Sequence, residues 1–117
     1  MSRFLPPDHA KGDEQTIGGY AAVHARPAAF EGRDGASYSV ELLVDQTGEP
    51  ERPFGAFFLF VQWKRYGAQG VDGHLESAFL AWGSSREDAL TALGAMALPA
   101  VQQILDALIQ QRREAAR

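Results

Sequence analysis

The hydrophobic rhythm of the chain changes once, at Gly83-Ser84-Ser85, and this change limits the fold more than any other feature. Before it, apolar residues recur at every second position, the period of a strand. After it they recur every three to four positions, the period of a helix. Strands come first and helices second, so the segregated order predicts an α+β domain rather than an alternating α/β one.

The helical end is the more explicit. Ser85 is placed as an N-cap, and Asp88 three residues on is a weaker form of the capping-box acid. Leu90, Leu93 and Ala97 make a short stripe. Pro99 is costly in a helix interior but suits a first turn, so the spacing predicts a break near Ala97-Leu98 and a second helix after it. That helix carries Val101, Ile104, Leu105, Leu108 and Ile109 at the i, i+3, i+4, i+7, i+8 spacing of a buried stripe. Leu105→Asp is therefore expected to abolish folding.

Four strands are expected ahead of the helices. Tyr20 to Ala29 alternates through Ala21, Val23 and Ala25, and Pro27 predicts that it is an edge or ends in a bulge. Asp34-Gly35 is a hairpin signal. In Ser37 to Asp45, Tyr38, Val40, Leu42 and Val44 share one face, with Ser37, Ser39, Glu41 and Asp45 on the other. Gly55 to Arg65 is apolar on both faces, which predicts a central strand. His74 to Trp82 is the fourth. Short links favour a four-stranded antiparallel meander, with a broken or kinked C-terminal helix pair packed on one face. Residues 1–18 read as a flexible N-terminal arm and residues 19–117 as a single α+β domain.

Two helices cover one face of a sheet, so the other face is where function is sought. The core is assigned to Val23, Val40, Leu42, Val44, Phe57, Leu59, Val61, Leu75 and Phe79. The open face then holds Phe58, Phe60, Leu80, Trp82 and Leu43, with His24 and Glu41 beside them. Such a cluster exceeds the apolar patch of a few hundred Å² usual on a monomer. A second copy about a two-fold axis is the expected cover, with another protein partner or the arm, through Phe4 and Leu5, as the other ways to close it. Phe60→Glu is accordingly expected to keep the fold and lose the partner.

Most chemistries find little footing. The chain has no cysteine, which excludes thiol catalysis, disulfides and cysteine metal sites and fits a reducing, cytoplasmic setting. The longest apolar run in the strands, Ala56 to Val61, falls far short of the ~20 residues of a membrane span, and the first residues lack the pattern of a signal peptide. His24, Glu41, His74 and Glu76 share the expected open face, but strands one and four of a meander lie about 14 Å apart, too far to converge on one metal ion. Glu41 and Glu76 are about 10 Å apart on the same reckoning, with no cleft between them. Trp82-Gly83-Ser84-Ser85-Arg86-Glu87 does not meet the Gly-x-Ser-x-Gly pattern of a nucleophile elbow. Gly67, Gly70 and Gly73 precede a strand and not the helix that a phosphate loop needs. No catalytic residue, metal or cofactor is assigned.

Gly55-Ala56-Phe57-Phe58-Leu59-Phe60-Val61 is similar to the aromatic strand of an RNA-recognition sheet, without the basic residues that should precede it. The four-strand, kinked-helix layout also resembles small dimeric single-strand DNA-binding coactivators, in layout alone. Single-stranded nucleic acid is thus the alternative ligand, opposed by a net charge of -4. The leading expectation is a non-enzymatic binding domain that self-associates through the open face of its sheet.

Overall fold

The computed structural model describes residues 6–64 and 70–116. A four-stranded antiparallel sheet in the order β1-β2-β3-β4 is extended by a fifth strand that also pairs with β3. The strands are β1 (Ala29–Glu31), β2 (Ser37–Gln46), β3 (Phe54–Trp63), β4 (Val71–Glu76) and β5 (Ala81–Gly83). Helices α1 (Ile17–His24), α2 (Arg86–Gly94) and α3 (Leu98–Ala115) complete the fold. The architecture is α+β with an open sheet. The extents of 46 × 45 × 23 Å are those of one sheet under one layer of helices.

Both C-terminal helices form where the period change places them. Ser85 Oγ accepts from the Asp88 amide at 3.0 Å and caps α2. The chain breaks over 95–97 and resumes with proline in the first turn of α3. Val101, Leu105 and Ile109 are fully buried, with Ile104 and Leu108 packed against them. The break is also held from outside. The Ile17 amide donates to Met96 O at 2.9 Å and the Leu98 amide to Gln15 O at 3.0 Å.

The segment expected to be the first strand is instead α1 and the loop that follows it, and the expected boundary at residue 18 falls inside this helix. Thr16 Oγ1 caps it by accepting from the Gly19 amide at 3.1 Å, and Ala25, with φ 52°, ends it. The alternation of Ala21, Val23 and Ala25 rests on alanine, which is small enough for either period and is the best helix former. Gly18, outwardly a breaker, has a packing role. A Cβ there would lie 2.9 Å from Gly94 Cα, so the two glycines let α1 and α2 touch backbone to backbone. Phe4 and Leu5 lie outside the described residues.

Strand β2 has the faces its sequence announces, and it fixes those of β3 by pairing. Val40 stands opposite Phe60, Leu42 opposite Phe58 and Val44 opposite Ala56. Paired residues share a face, so Phe58 and Phe60 join Tyr38 and Val40 under the helices, each at 2 % exposure or less. Phe57, Leu59 and Val61 therefore point away from the helices, the reverse of the expectation. A strand apolar on both faces carries no internal signal of which face is covered, and a one-residue slip exchanges them.

The expected fourth strand is two. Strand β4 stops at Glu76, and Ser77 then bonds twice to Phe58: its amide donates to Phe58 O and its Oγ accepts from Phe58 N, both at 3.0 Å. After the irregular stretch 77–80, β5 resumes the line, with Ala81 opposite Ala56 and Trp82 opposite Gly55.

Candidate functional site

Both large hydrophobic residues that stand exposed among the described residues, Trp63 and Val71, lie on the helix-free face of the sheet. Its residues follow from the register. The rows across β2, β3 and β4 are Ser37-Trp63-Val71, Ser39-Val61-His74 and Glu41-Leu59-Glu76, followed by Leu43-Phe57. A stripe of four large apolar side chains thus runs along β3, bordered by polar and charged residues at its middle and by Leu43 and Val71 at its two ends. Leu59, Val61 and Phe57 are half-buried by one another; Trp63 is 42 % and Val71 51 % exposed.

Local devices hold this stripe in place. Trp63 Nε1 donates to Ser39 Oγ at 2.9 Å, which lays the indole toward β2. Phe79 packs edge-on against Phe57, ring centres 5.9 Å apart, in space that exists because residue 55 is glycine. A Cβ on Gly55 would lie 2.5 Å from the Phe79 ring. Trp82 lies beyond, under the Arg52 guanidinium at 4.2 Å, and its Nε1 is buried without a partner. Among the described residues neither Glu41 nor Glu76 has an ion-pair partner.

Of the residues expected on this surface, Leu43, Glu41 and Trp82 lie on it by register. Phe58 and Phe60 do not: both are at 0 % exposure in the core. Phe60→Glu would bury a carboxylate there rather than detach a partner. Leu80 packs against the core from the break before β5, and Phe79, expected inside, takes the outer position. His24 belongs to α1 in the helical layer, with its ring 4.3 Å from that of Tyr20 and its Nε2 3.8 Å from Glu14. The surface residues that sequence reasoning missed, Phe57, Leu59, Val61, Trp63 and Phe79, carry the same apolar signal as those it chose. Pairing with β2 separates those on β3, and the break at Ser77 turns Phe79 outward.

No group of three or more His, Cys, Asp or Glu among the described residues could hold a metal ion, and no described helix is long and apolar enough to cross a membrane. An open groove of about 500 Å³ lies between α1 and α2, lined by Gly18, Gly19, Ala22, Leu90 and Gly94, with Lys11 at its side. It gathers no set of converging polar groups. On the covered side, the Tyr38 hydroxyl donates to Asp34 Oδ2 at 2.8 Å and accepts from Arg112 at 3.0 Å. Arg112 also reaches Gln62 Oε1 at 3.2 Å. Burial foremost, and then the hydrogen bond to Asp34, push the Tyr38 hydroxyl above its ordinary range. This cluster ties the end of α3 to the β1–β2 hairpin and is fully used in doing so.

Comparison with protein-family models, with curated proteins and with solved structures finds no match to this chain.

Proposed function

We propose that this chain is a small interaction domain that self-associates through the helix-free face of its sheet. The observation that carries the reading is the apolar stripe Phe57-Leu59-Val61-Trp63 along the central strand, with no described helix above it. Apolar surface that leaves water on association supplies roughly 25 cal/mol per Å², and sheets that meet face to face do so at about 10 Å with aligned strands. Two strands of ten residues and one of six give a footprint of about 400 Å² per copy, or about 800 Å² in all. This lies in the range of weak, transient interfaces, so the reading implies a reversible, concentration-dependent dimer. The setting is taken as the cytoplasm, consistent with a chain free of cysteine.

The nucleic-acid reading loses its main support, because the Phe58 and Phe60 rings are turned into the core. The outer face offers Glu41 and Glu76 without paired cations among the described residues, the wrong sign for a phosphate backbone.

Light scattering on wild type and Leu59→Glu tests the proposal. Wild type is expected to gain mass toward a dimer with concentration, and Leu59→Glu to stay monomeric with an unchanged circular dichroism spectrum. A monomeric wild type across the range accessible to the instrument overturns the reading.

A further inference from the structure

The polar border of the stripe differs from one end to the other, and this selects one way for two copies to meet. This step rests on the self-association just proposed and specifies its geometry. Two sheets packed face to face as a symmetric pair share a two-fold axis lying between them. An axis parallel to β3 sets β2 of one copy over β4 of the other, which brings Glu41 onto Glu76 of the second copy. An axis across the strands through Leu59 sets Glu41 against its own equivalent, and Glu76 likewise. Both arrangements oppose carboxylates over a partly desolvated surface. An axis across the strands through Val61 avoids this, but it lays Glu76 over apolar Val71 and His74 over its own equivalent.

We propose that the axis crosses the strands midway between Leu59 and Val61, so that each Glu76 faces His74 of the second copy. The rows of the sheet are two residues, roughly 7 Å, apart. With this axis Leu59 rests on Val61 of the other copy, Phe57 meets Trp63, and Glu41 meets Ser39. Large side chains oppose smaller ones at the centre, and no carboxylate opposes a carboxylate. Glu76, which has no ion-pair partner among the described residues, gains an imidazole, and the pair occurs twice.

This register makes association sensitive to pH. Histidine changes charge between pH 5 and 8; the imidazolium attracts Glu76 across the interface, and the neutral ring does not. His74 is exposed. The charged groups around it among the described residues are Asp72 and Glu76 on its own strand and, two strands across in the next row, Glu41 on β2. Its neighbours in its own row, Val61 and Ser39, are uncharged. Protons are taken up on dimerisation, so the dimer is favoured at low pH and weakens as pH rises.

Sedimentation equilibrium on the full chain at pH 5.5 and pH 8.0 tests the register. The wild-type dissociation constant is expected to be roughly five- to tenfold lower at pH 5.5, the sum of two rim pairs. This difference should vanish in His74→Gln and in Glu76→Gln, both exposed positions that leave the fold intact. The double variant His9→Gln/His24→Gln, which removes the histidines grouped around Glu14, should retain it. A dimer whose pH response survives in His74→Gln overturns this register and leaves the open-face reading standing. A monomer at both pH values overturns both.

Discussion

Phe58 and Leu59 are neighbours on β3, yet one is sealed beneath the helices and the other lies half-covered on the side without them. Both faces of the strand carry large apolar side chains. On the covered face they meet Val40, Leu42 and the α3 stripe, and packing is finished within one chain. On the other face Phe57, Leu59, Val61 and Trp63 are flanked by Phe79, Leu43, Val71 and the polar residues of β2 and β4, with no described helix over them. Hydrophobicity alone therefore does not distinguish core from surface here; the supply of partner atoms does.

The strongest way to break this comparison is to truncate both neighbours. Phe58→Ala should cost about 3–5 kcal/mol, by lost transfer energy and a cavity among residues that cannot collapse. Leu59→Ala should cost under about 1 kcal/mol in dilute solution, where no second chain lies against it. Urea denaturation of the two variants checks the contrast, and equal losses would mean that the outer face is packed as tightly as the inner one.

A second variant probes how closely the helical layer is built. Gly18→Ala places a methyl 2.9 Å from Gly94 Cα, and backbone cannot step aside as a side chain can. A loss of about 1–3 kcal/mol is expected. A neutral result in thermal melts would show that α1 is free to lift from α2.

The smallest effect belongs to the cluster that closes the covered side. Tyr38→Phe should cost about 0.5–1.5 kcal/mol near neutral pH, with Arg112 and Asp34 still in contact at 3.4 Å. In the folded chain the Tyr38 hydroxyl is pushed above its ordinary value of 10.0. The folded state thus holds this proton more tightly than the unfolded one, and its contribution is complete below pH 10 and lost as pH rises beyond it. Melting temperatures followed from pH 8 to 11 should fall more steeply for wild type than for Tyr38→Phe; parallel curves would contradict the assignment.

Much of this architecture was legible in the sequence, for identifiable reasons. Helix α3 announced itself through its stripe, α2 through Ser85, and β2 through clean alternation of apolar and polar residues. Each has one face that water forbids. Helix α1 was hidden because its apolar residues are mostly alanine and because Gly18-Gly19 serves close packing rather than termination. The faces of β3 were hidden because both are apolar, so the answer lay in its neighbour. The turn of Phe79 outward and Leu80 inward was hidden in the hydrogen bonds of Ser77 to Phe58, which no periodicity reports. Leu43, Glu41 and Trp82 lie on the helix-free face and Leu80 and His24 do not; at Phe58 and Phe60 the parity of one strand decided the outcome.

The central claim is that the second copy sits on the helix-free face. A mixed sample of isotope-labelled and unlabelled chains, measured by filtered nuclear Overhauser spectroscopy, tests it most directly. The account predicts contacts between chains at the methyl groups of Leu43, Leu59 and Val61, and none at Leu93 or Leu105. Contacts between chains confined to the helical layer, or absent at concentrations where the mass is that of a dimer, would contradict it.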